Sequence, residues 1–160
     1  MSILFEYDVR FIDVSEWDEA MELVYRTFLE FDASSFTQEG IDQFRLFISD
    51  HTLKKAFENG AYQVIGSYHN NKMIGVIALR EGTHISLLFV DKDYHYKGIG
   101  RRLVAELSDY AYLKLHSDHL TVNSSPYATE FYHKLGFVDE GPMLETDGIF
   151  YTPMKYWLGV

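Results

Sequence analysis

His95-Tyr96-Lys97-Gly98-Ile99-Gly100-Arg101-Arg102-Leu103 is the stretch on which the reading of this 160-residue chain turns. Before it, His84-Ile-Ser-Leu-Leu-Phe-Val90 reads as an apolar β-strand. After it, Ile99, Leu103, Leu107, Tyr110 and Leu113 recur every three to four residues, which predicts a helix over 98–115. Two glycines at a strand-to-helix junction let the backbone turn tightly and come close to a ligand. The first amide N–H groups of the helix lack intrahelical partners and point, with the helix dipole, at whatever sits there. Lys97, Arg101 and Arg102 add positive charge, so a pyrophosphate suits the loop. A bare Gly-x-Gly also makes an ordinary turn. Leu103 stands where a dinucleotide fingerprint needs a third glycine, and no Walker-type G-x-x-x-x-G-K-[ST] occurs.

Working outward, Phe5, Tyr7, Val9 and Phe11 alternate with polar residues as a first strand. Ser15 offers an N-cap, and Trp17, Met21, Val24, Tyr25, Phe28 and Leu29 predict an amphipathic helix over 16–30. Thr37 opens a second helix with Ile41, Phe44, Phe47 and Ile48 as its stripe, and a weaker helix runs from Leu53 to Glu58. The period then changes: 62–68 and 73–79 read as strands joined at His69-Asn-Asn-Lys, where asparagine tolerates positive φ. Leu120–Asn123 reads as a short strand, Ala128–Leu135 as a short helix stopped by Gly136, and the last strands follow from Phe137. The expected fold is α+β: a mixed, mostly antiparallel sheet with one βαβ crossover, flanked by helices, in a single domain over 1–160.

Composition narrows the function. With 14 Lys+Arg against 24 Asp+Glu the net charge is −10, which argues against binding nucleic acid or an anionic membrane surface. The absence of cysteine excludes thiolate metal sites and a cysteine nucleophile. His116 and His119 have a metal-pair spacing but no third ligand beside them, so no metal is expected. Ser124-Ser125 lacks the context of a nucleophile elbow. No basic leader or long apolar run is present, and the expectation is a cytoplasmic protein, monomeric or homodimeric.

The stretch from His84 to Val138 resembles the GCN5-related N-acetyltransferase (GNAT) superfamily. His95-x-x-Gly98-x-Gly100 is similar to its acetyl-CoA signature, [Q/R]-x-x-G-x-[G/A]. Downstream, Asn123 with Ala128, Phe131-Tyr132 and Lys134-Leu135-Gly136-Phe137 matches its N-x-x-A-x-x-F-Y-x-K-L-G-F segment. His95 departs from the pattern, replacing Gln or Arg at the head of the loop.

The resemblance implies a splayed central sheet and transfer of an acetyl group from acetyl-CoA to a primary amine, of a small molecule or a peptide, by direct attack. It implies that Leu88, Phe89 and Val90 offer backbone groups to pantetheine and the thioester. The amides of Tyr96, Lys97, Gly98, Ile99, Gly100 and Arg101 would cradle the pyrophosphate, with His95 a weakened side-chain contact. Asn123, Tyr127 and Phe131 would line the cofactor path, and Tyr132 would donate a proton to the CoA sulfur. A phenol of pKa about 10 is protonated at pH 7 yet can stabilise a thiolate. Some members carry a glutamate 14 residues before the first signature glycine; that position is His84, a candidate general base, with Glu81 and ordered water as alternatives.

In related folds the N-terminal helices and last strands wall the acceptor. Here Phe28, Phe31, Phe36, Phe44 and Phe47 make that region aromatic, and Glu30, Asp32, Glu39 and Asp42 make it acidic. The plainer expectation is that the phenylalanines are core and the acids solvated helix faces; a cationic amine is the lean of the charge. A non-catalytic acetyl-CoA-binding sensor or interaction domain is the alternative function.

Overall fold

The computed structural model describes residues 7–159. Phe5, the expected start of the first strand, lies outside them. In chain order the elements are β1 (Asp8–Phe11), α1 (Trp17–Phe31), α2 (Gln38–Ser49), α3 (His51–Glu58), β2 (Tyr62–His69), β3 (Lys72–Arg80) and β4 (His84–Val90). The second half adds α4 (Ile99–Leu115), β5 (His119–Ser124), α5 (Thr129–Leu135), β6 (Val138–Asp139), β7 (Leu144–Thr146) and β8 (Ile149–Trp157).

The local reasons are visible at the element ends. Asn70 and Asn71 take φ of 51° and 66° to make the tight β2–β3 hairpin, and Gly136 stops α5 at φ 105°. Thr37 caps α2 through the Gly40 amide. The start of α1 differs from expectation. Its leading 3-10 turn is capped by Asp13, whose side chain and Glu16 form a reciprocal capping box, so Ser15 is a passenger rather than the cap. The sequence reading also lacks β7, which is only three residues long and pairs solely with β8.

The sheet runs in the order β1-β2-β3-β4-β5-β8-β6, antiparallel except at one place. That place is β4 against β5, the parallel pair joined by the α4 crossover, and it holds only for His84↔Thr121 and Ile85↔Val122. Beyond Ile85 the two strands part, while β4 stays paired to β3 as far as Val90↔Gly75 and β5 to β8 as far as Ser124↔Thr152. The expected splay is therefore a wedge opened in the middle of an otherwise continuous sheet.

Helices cover both faces. On one, α4 and α5 bury Leu103, Leu107 and Tyr132 against Ile77, Leu79 and Leu120. On the other, α1 buries Trp17, Leu23 and Val24 against Val64, Val76 and Leu87. The alternation Val76/Ile77/Ala78/Leu79 sends successive side chains of β3 to opposite cores, so a central strand reads as a continuous apolar run. With both faces packed, the wedge is held open by the sheet itself.

Candidate active site

A cleft of about 910 Å³ follows the wedge, walled by β4, β5, the 95–101 loop, the ends of α1 and α5, and the β7–β8 hairpin. At its centre Leu88, Phe89 and Val90 have no strand partner on the β5 side, which frees backbone groups of that edge for a ligand. The exit from β4 is fastened by the buried Asp91. Its amide donates to the Ile74 carbonyl, its carboxylate accepts from the Asp93 amide, and Arg26 of α1 pairs with it at 3.1 Å. The Arg26 guanidinium and the Asp93 amide hold that carboxyl below the usual carboxylate range, against the opposing effect of burial.

The loop turns as the two glycines require, though for different reasons. Gly98 sits at φ 79°, and a Cβ there would meet nothing, so conformation alone calls for glycine. Gly100 is limited by space: a Cβ would lie 3.2 Å from the Phe131 ring. No side chain caps α4, so its first-turn amides face the cleft from residues 98 to 101. Such a turn fits a diphosphate in shape and in polarity.

Its side chains divide more sharply than the sequence suggests. Arg101 lines the cleft, whereas Lys97 is exposed outside the lining. Arg102, expected to add charge to this turn, reaches instead to the Tyr7 carbonyl at 2.6 Å. One residue on from Arg101, it points about 100° further round the helix. His95 donates from Nε2 to the Val90 carbonyl at 2.7 Å, and its ring lies on Phe31 with centroids 4.5 Å apart. It clasps the loop to the end of β4. Tyr96 stands fully exposed at φ 61°.

On the opposite side, Asn123 is exposed on β5 where the strands have parted, and Tyr127 packs on Phe31 at 5.2 Å. Tyr132 is buried on α5 between Phe131 and Phe137, in edge-to-face contact with each. Its hydroxyl makes no hydrogen bond among the described residues and borders the cleft. Burial, reinforced by the charge of Asp32, raises its pKa above that of a free phenol and keeps it protonated.

His84 lies at the closed end of the wedge, with Nδ1 2.7 Å from the Thr121 hydroxyl. Burial and the nearby Arg80 lower its pKa to about 4. Glu81 sits in the preceding turn at φ 55°, exposed and outside the cleft lining. Among the described residues no group of three His, Asp or Glu side chains is placed to hold a metal; His119 pairs with Asp118 instead.

These observations coincide with a family match over residues 32–158, to the acetyltransferase (GNAT) domain. The chain belongs to the GNAT acetyltransferase family. It is an acyltransferase of that fold, and the residues similar to the family's acetyl-CoA signature lie on the loop between β4 and α4. Its structure is similar to a GCN5-related N-acetyltransferase from Rhodopseudomonas palustris, with a TM-score of 0.81 at 21% identity over 94% of this chain and 95% of that one. PaiA N-acetyltransferase from Thermoplasma acidophilum, solved with coenzyme A, gives 0.77 at 20% identity over 98% and 99%. Spermidine N-acetyltransferase from Vibrio cholerae, solved with CoA and spermine, gives 0.66 at 16% over 96% of each. No curated protein sequence matches the chain.

One residue of the cleft enters the sequence reading only among the acids of the acceptor wall, with no role of its own. Asp32, expected on a solvated helix face, is buried, with 9% of its surface exposed, and accepts a hydrogen bond from Ser125 at 3.1 Å. The two lie 93 residues apart in sequence. At the end of α1, before Ala33-Ser34-Ser35, an aspartate looks like a capping residue; only the folded chain carries its carboxylate inward.

Proposed function

We propose that residues 1–160 act as one cytoplasmic catalytic domain that moves an acetyl group from acetyl-CoA to a primary amine by direct attack within a ternary complex. The observation that carries this reading is the meeting of three features in one cleft: the uncapped amides at 98–101, the unpaired edge Leu88–Val90, and the Tyr132 hydroxyl. The loop amides and Arg101 bind the diphosphate of the co-substrate. The free edge of β4 aligns its pantetheine arm and thioester carbonyl. Asn123 and Tyr127 border the same path from the β5 side.

The amine nitrogen then forms a bond to the acetyl carbon as the carbon–sulfur bond breaks. The amine loses a proton, and the departing thiolate gains one from the Tyr132 hydroxyl. The amine's proton restores that of Tyr132, so the sum is one amide and one thiol, with one further proton released to solvent when the amine enters as its ammonium. Holding both reactants in line lowers the entropic cost of the encounter, and the proton donor removes the penalty of expelling a bare thiolate. His84, with a pKa near 4, is neutral at pH 7 and serves in the cleft as a hydrogen-bonding imidazole. The acidity of the chain supports a cationic acceptor, as does the spermine bound to the Vibrio cholerae enzyme.

The test is release of free CoA thiol from acetyl-CoA with a panel of amines. Turnover that falls by about two orders of magnitude in Tyr132→Phe, with acetyl-CoA affinity unchanged, is the expected result. Acetyl-CoA binding without turnover of any amine, or full activity in Tyr132→Phe, would overturn it.

A further inference from the structure

We propose that Asp32 receives the ammonium group of the acceptor and takes its proton, and that the aromatic wall beside it selects a monoamine with an apolar body. This rests on the acetyltransferase reading above and names the acceptor for it.

Asp32 stands at the N-cap of the 3-10 turn 33–35, a position where an aspartate ordinarily turns its carboxylate onto the next backbone amides. It makes no such cap. Its main chain does the local work instead, the amide bonding to the Phe28 carbonyl and the carbonyl to the Ser35 amide. The side chain is turned into the cleft, where Oδ1 takes the Ser125 hydroxyl. Oδ2 accepts from no group among the described residues and borders the same cavity. No lysine, arginine or histidine among them pairs with it. A buried carboxylate without a cation is rare in a folded protein because desolvation penalises the charge and nothing offsets it. The missing cation fits a substrate ammonium.

The groups that face Asp32 are otherwise uncharged. Ser125 comes from the turn after β5, Tyr127 precedes α5, and Tyr132 comes from α5; both tyrosines feel the aspartate's charge. From its own helix, the preceding residue Phe31 lines the same cleft with the His95 ring against it. Burial pushes the carboxyl up to about 6, against the opposing Ser125 hydrogen bond. At pH 7 it is ionised, yet basic enough to hold a proton transiently.

Next to this charge the cleft is apolar. Phe31, Phe36, Phe44, Phe47, Phe89 and Phe150 are each half-buried and line it. The β7–β8 hairpin shuts its far side: the Gly148 carbonyl accepts from the Thr37 amide, and a Cβ on either Gly40 or Gly148 would strike the other's backbone. The remaining charges of the lining are two carboxylates, Glu130 and Asp147, and three cations, Arg80, Arg101 and Lys134, all five exposed. Only Asp32 is buried, so the floor offers one counter-charge. A second ammonium threaded among the phenylalanines would be desolvated with no partner.

In the reaction the ammonium binds against Oδ2, and Asp32 takes one proton to free the nitrogen's lone pair. The lone pair then forms the bond to the acetyl carbon as the carbon–sulfur bond breaks, and the second proton lost from nitrogen restores the one that Tyr132 gives to the thiolate. The proton on Asp32 then passes to solvent when the amide leaves. The test compares 2-phenylethylamine, hexylamine and spermidine, reading thiol release and, in parallel, amine binding by calorimetry. The two monoamines are expected to exceed spermidine in kcat/KM by about tenfold or more. Asp32→Asn is expected to lose about a hundredfold in kcat/KM and in monoamine affinity together, with acetyl-CoA affinity unchanged. Ser125→Ala removes the hydrogen bond that lowers the carboxyl's pKa, so the acid limb of its pH–rate profile moves to higher pH; a purely structural aspartate would not move that limb. Spermidine preferred over both monoamines overturns the inference. So does 2-phenylethylamine binding equally well to wild type and Asp32→Asn. Absence of thiol release with every amine strikes the acetyltransferase reading instead, and calorimetry still decides whether Asp32 holds the amine.

Discussion

The two halves of the cleft are built by opposite means. On the side proposed for the co-substrate, the groups on offer are backbone: amides at a helix start, an unpaired strand edge, and two glycines required by φ or by space. On the side proposed for the acceptor they are side chains, with one buried carboxylate among half-buried phenylalanines drawn from α1, α2, β4 and β8. Backbone recognition depends on a short local sequence, so it tolerates wide change elsewhere. Side-chain recognition depends on residues brought together from distant parts of the chain, and it can change while the fold stays constant. The likeness to acetyltransferases at about one-fifth identity therefore extends to the architecture and leaves the acceptor to be read from this chain's own residues.

That contrast can be broken or sharpened by mutation. The largest effect is expected from Tyr132→Phe, where kcat falls about a hundredfold while both substrates bind as before, because the hydroxyl serves the transition state rather than either ground state. Gly100→Val should come next. Its side chain meets Phe131 and crowds the amides, so acetyl-CoA binding weakens by tenfold or more in calorimetry. Amine affinity measured on the same variant should be unaffected; a joint loss would show that the two halves are not separable.

Gly148→Ala probes the other half. Its φ of 85° costs a side chain about 1–2 kcal/mol, and the new Cβ runs into Thr37 and the Gly40 amide. Undocking of the hairpin should raise the KM for the amine several-fold and leave acetyl-CoA affinity intact. An unchanged amine KM would mean that the hairpin does not close the acceptor side.

The smallest net effect in the wild type concerns stability and pH, where two contributions oppose each other. Asp32 has its pKa raised from 3.8 to about 6, so the native state binds the proton more tightly than the unfolded chain. Its contribution is favourable below pH 3.8 and is lost as pH rises through 6, by an amount on the order of 3 kcal/mol. His84 has its pKa lowered from 6.5 to about 4, so the unfolded chain protonates first. Its contribution is favourable above pH 6.5 and is lost as pH falls toward 4. The two slopes oppose each other over nearly the same window. Denaturant melts of wild type should accordingly show a shallow dependence between pH 4 and 6. Asp32→Asn should be more stable than wild type at pH 7 and lose stability steeply on acidification, while His84→Gln should show the reverse slope. Parallel curves for all three would refute both assignments.

Much of the backbone of the 95–101 turn and of α5 is legible in the sequence. His95-x-x-Gly98-x-Gly100 and the Phe131–Phe137 segment point to it because tight turns, helix starts and helix stops are local events written in consecutive residues. The destinations of side chains were less so. Arg102 turns away to Tyr7, and His95 folds back onto Val90, since a few residues' rotation on a helix or one loop dihedral redirects a side chain altogether. Ser15 yields its cap to Asp13 because a 3-10 turn precedes α1, and periodicity does not register so short a turn.

The sequence by itself determined the α+β order, the crossover helix, the glycine turn before it and the tyrosine on the short helix. Each depends on hydrogen bonding and periodicity within about ten residues. Only the tertiary structure decided that β4 and β5 part after two paired residues, and that the β7–β8 hairpin seats on the start of α2. It also turned an aspartate at a helix end into a buried group held by a serine 93 positions away. Those depend on which distant surfaces meet, and a carboxylate's chemistry depends on the dielectric and the partners it finds there.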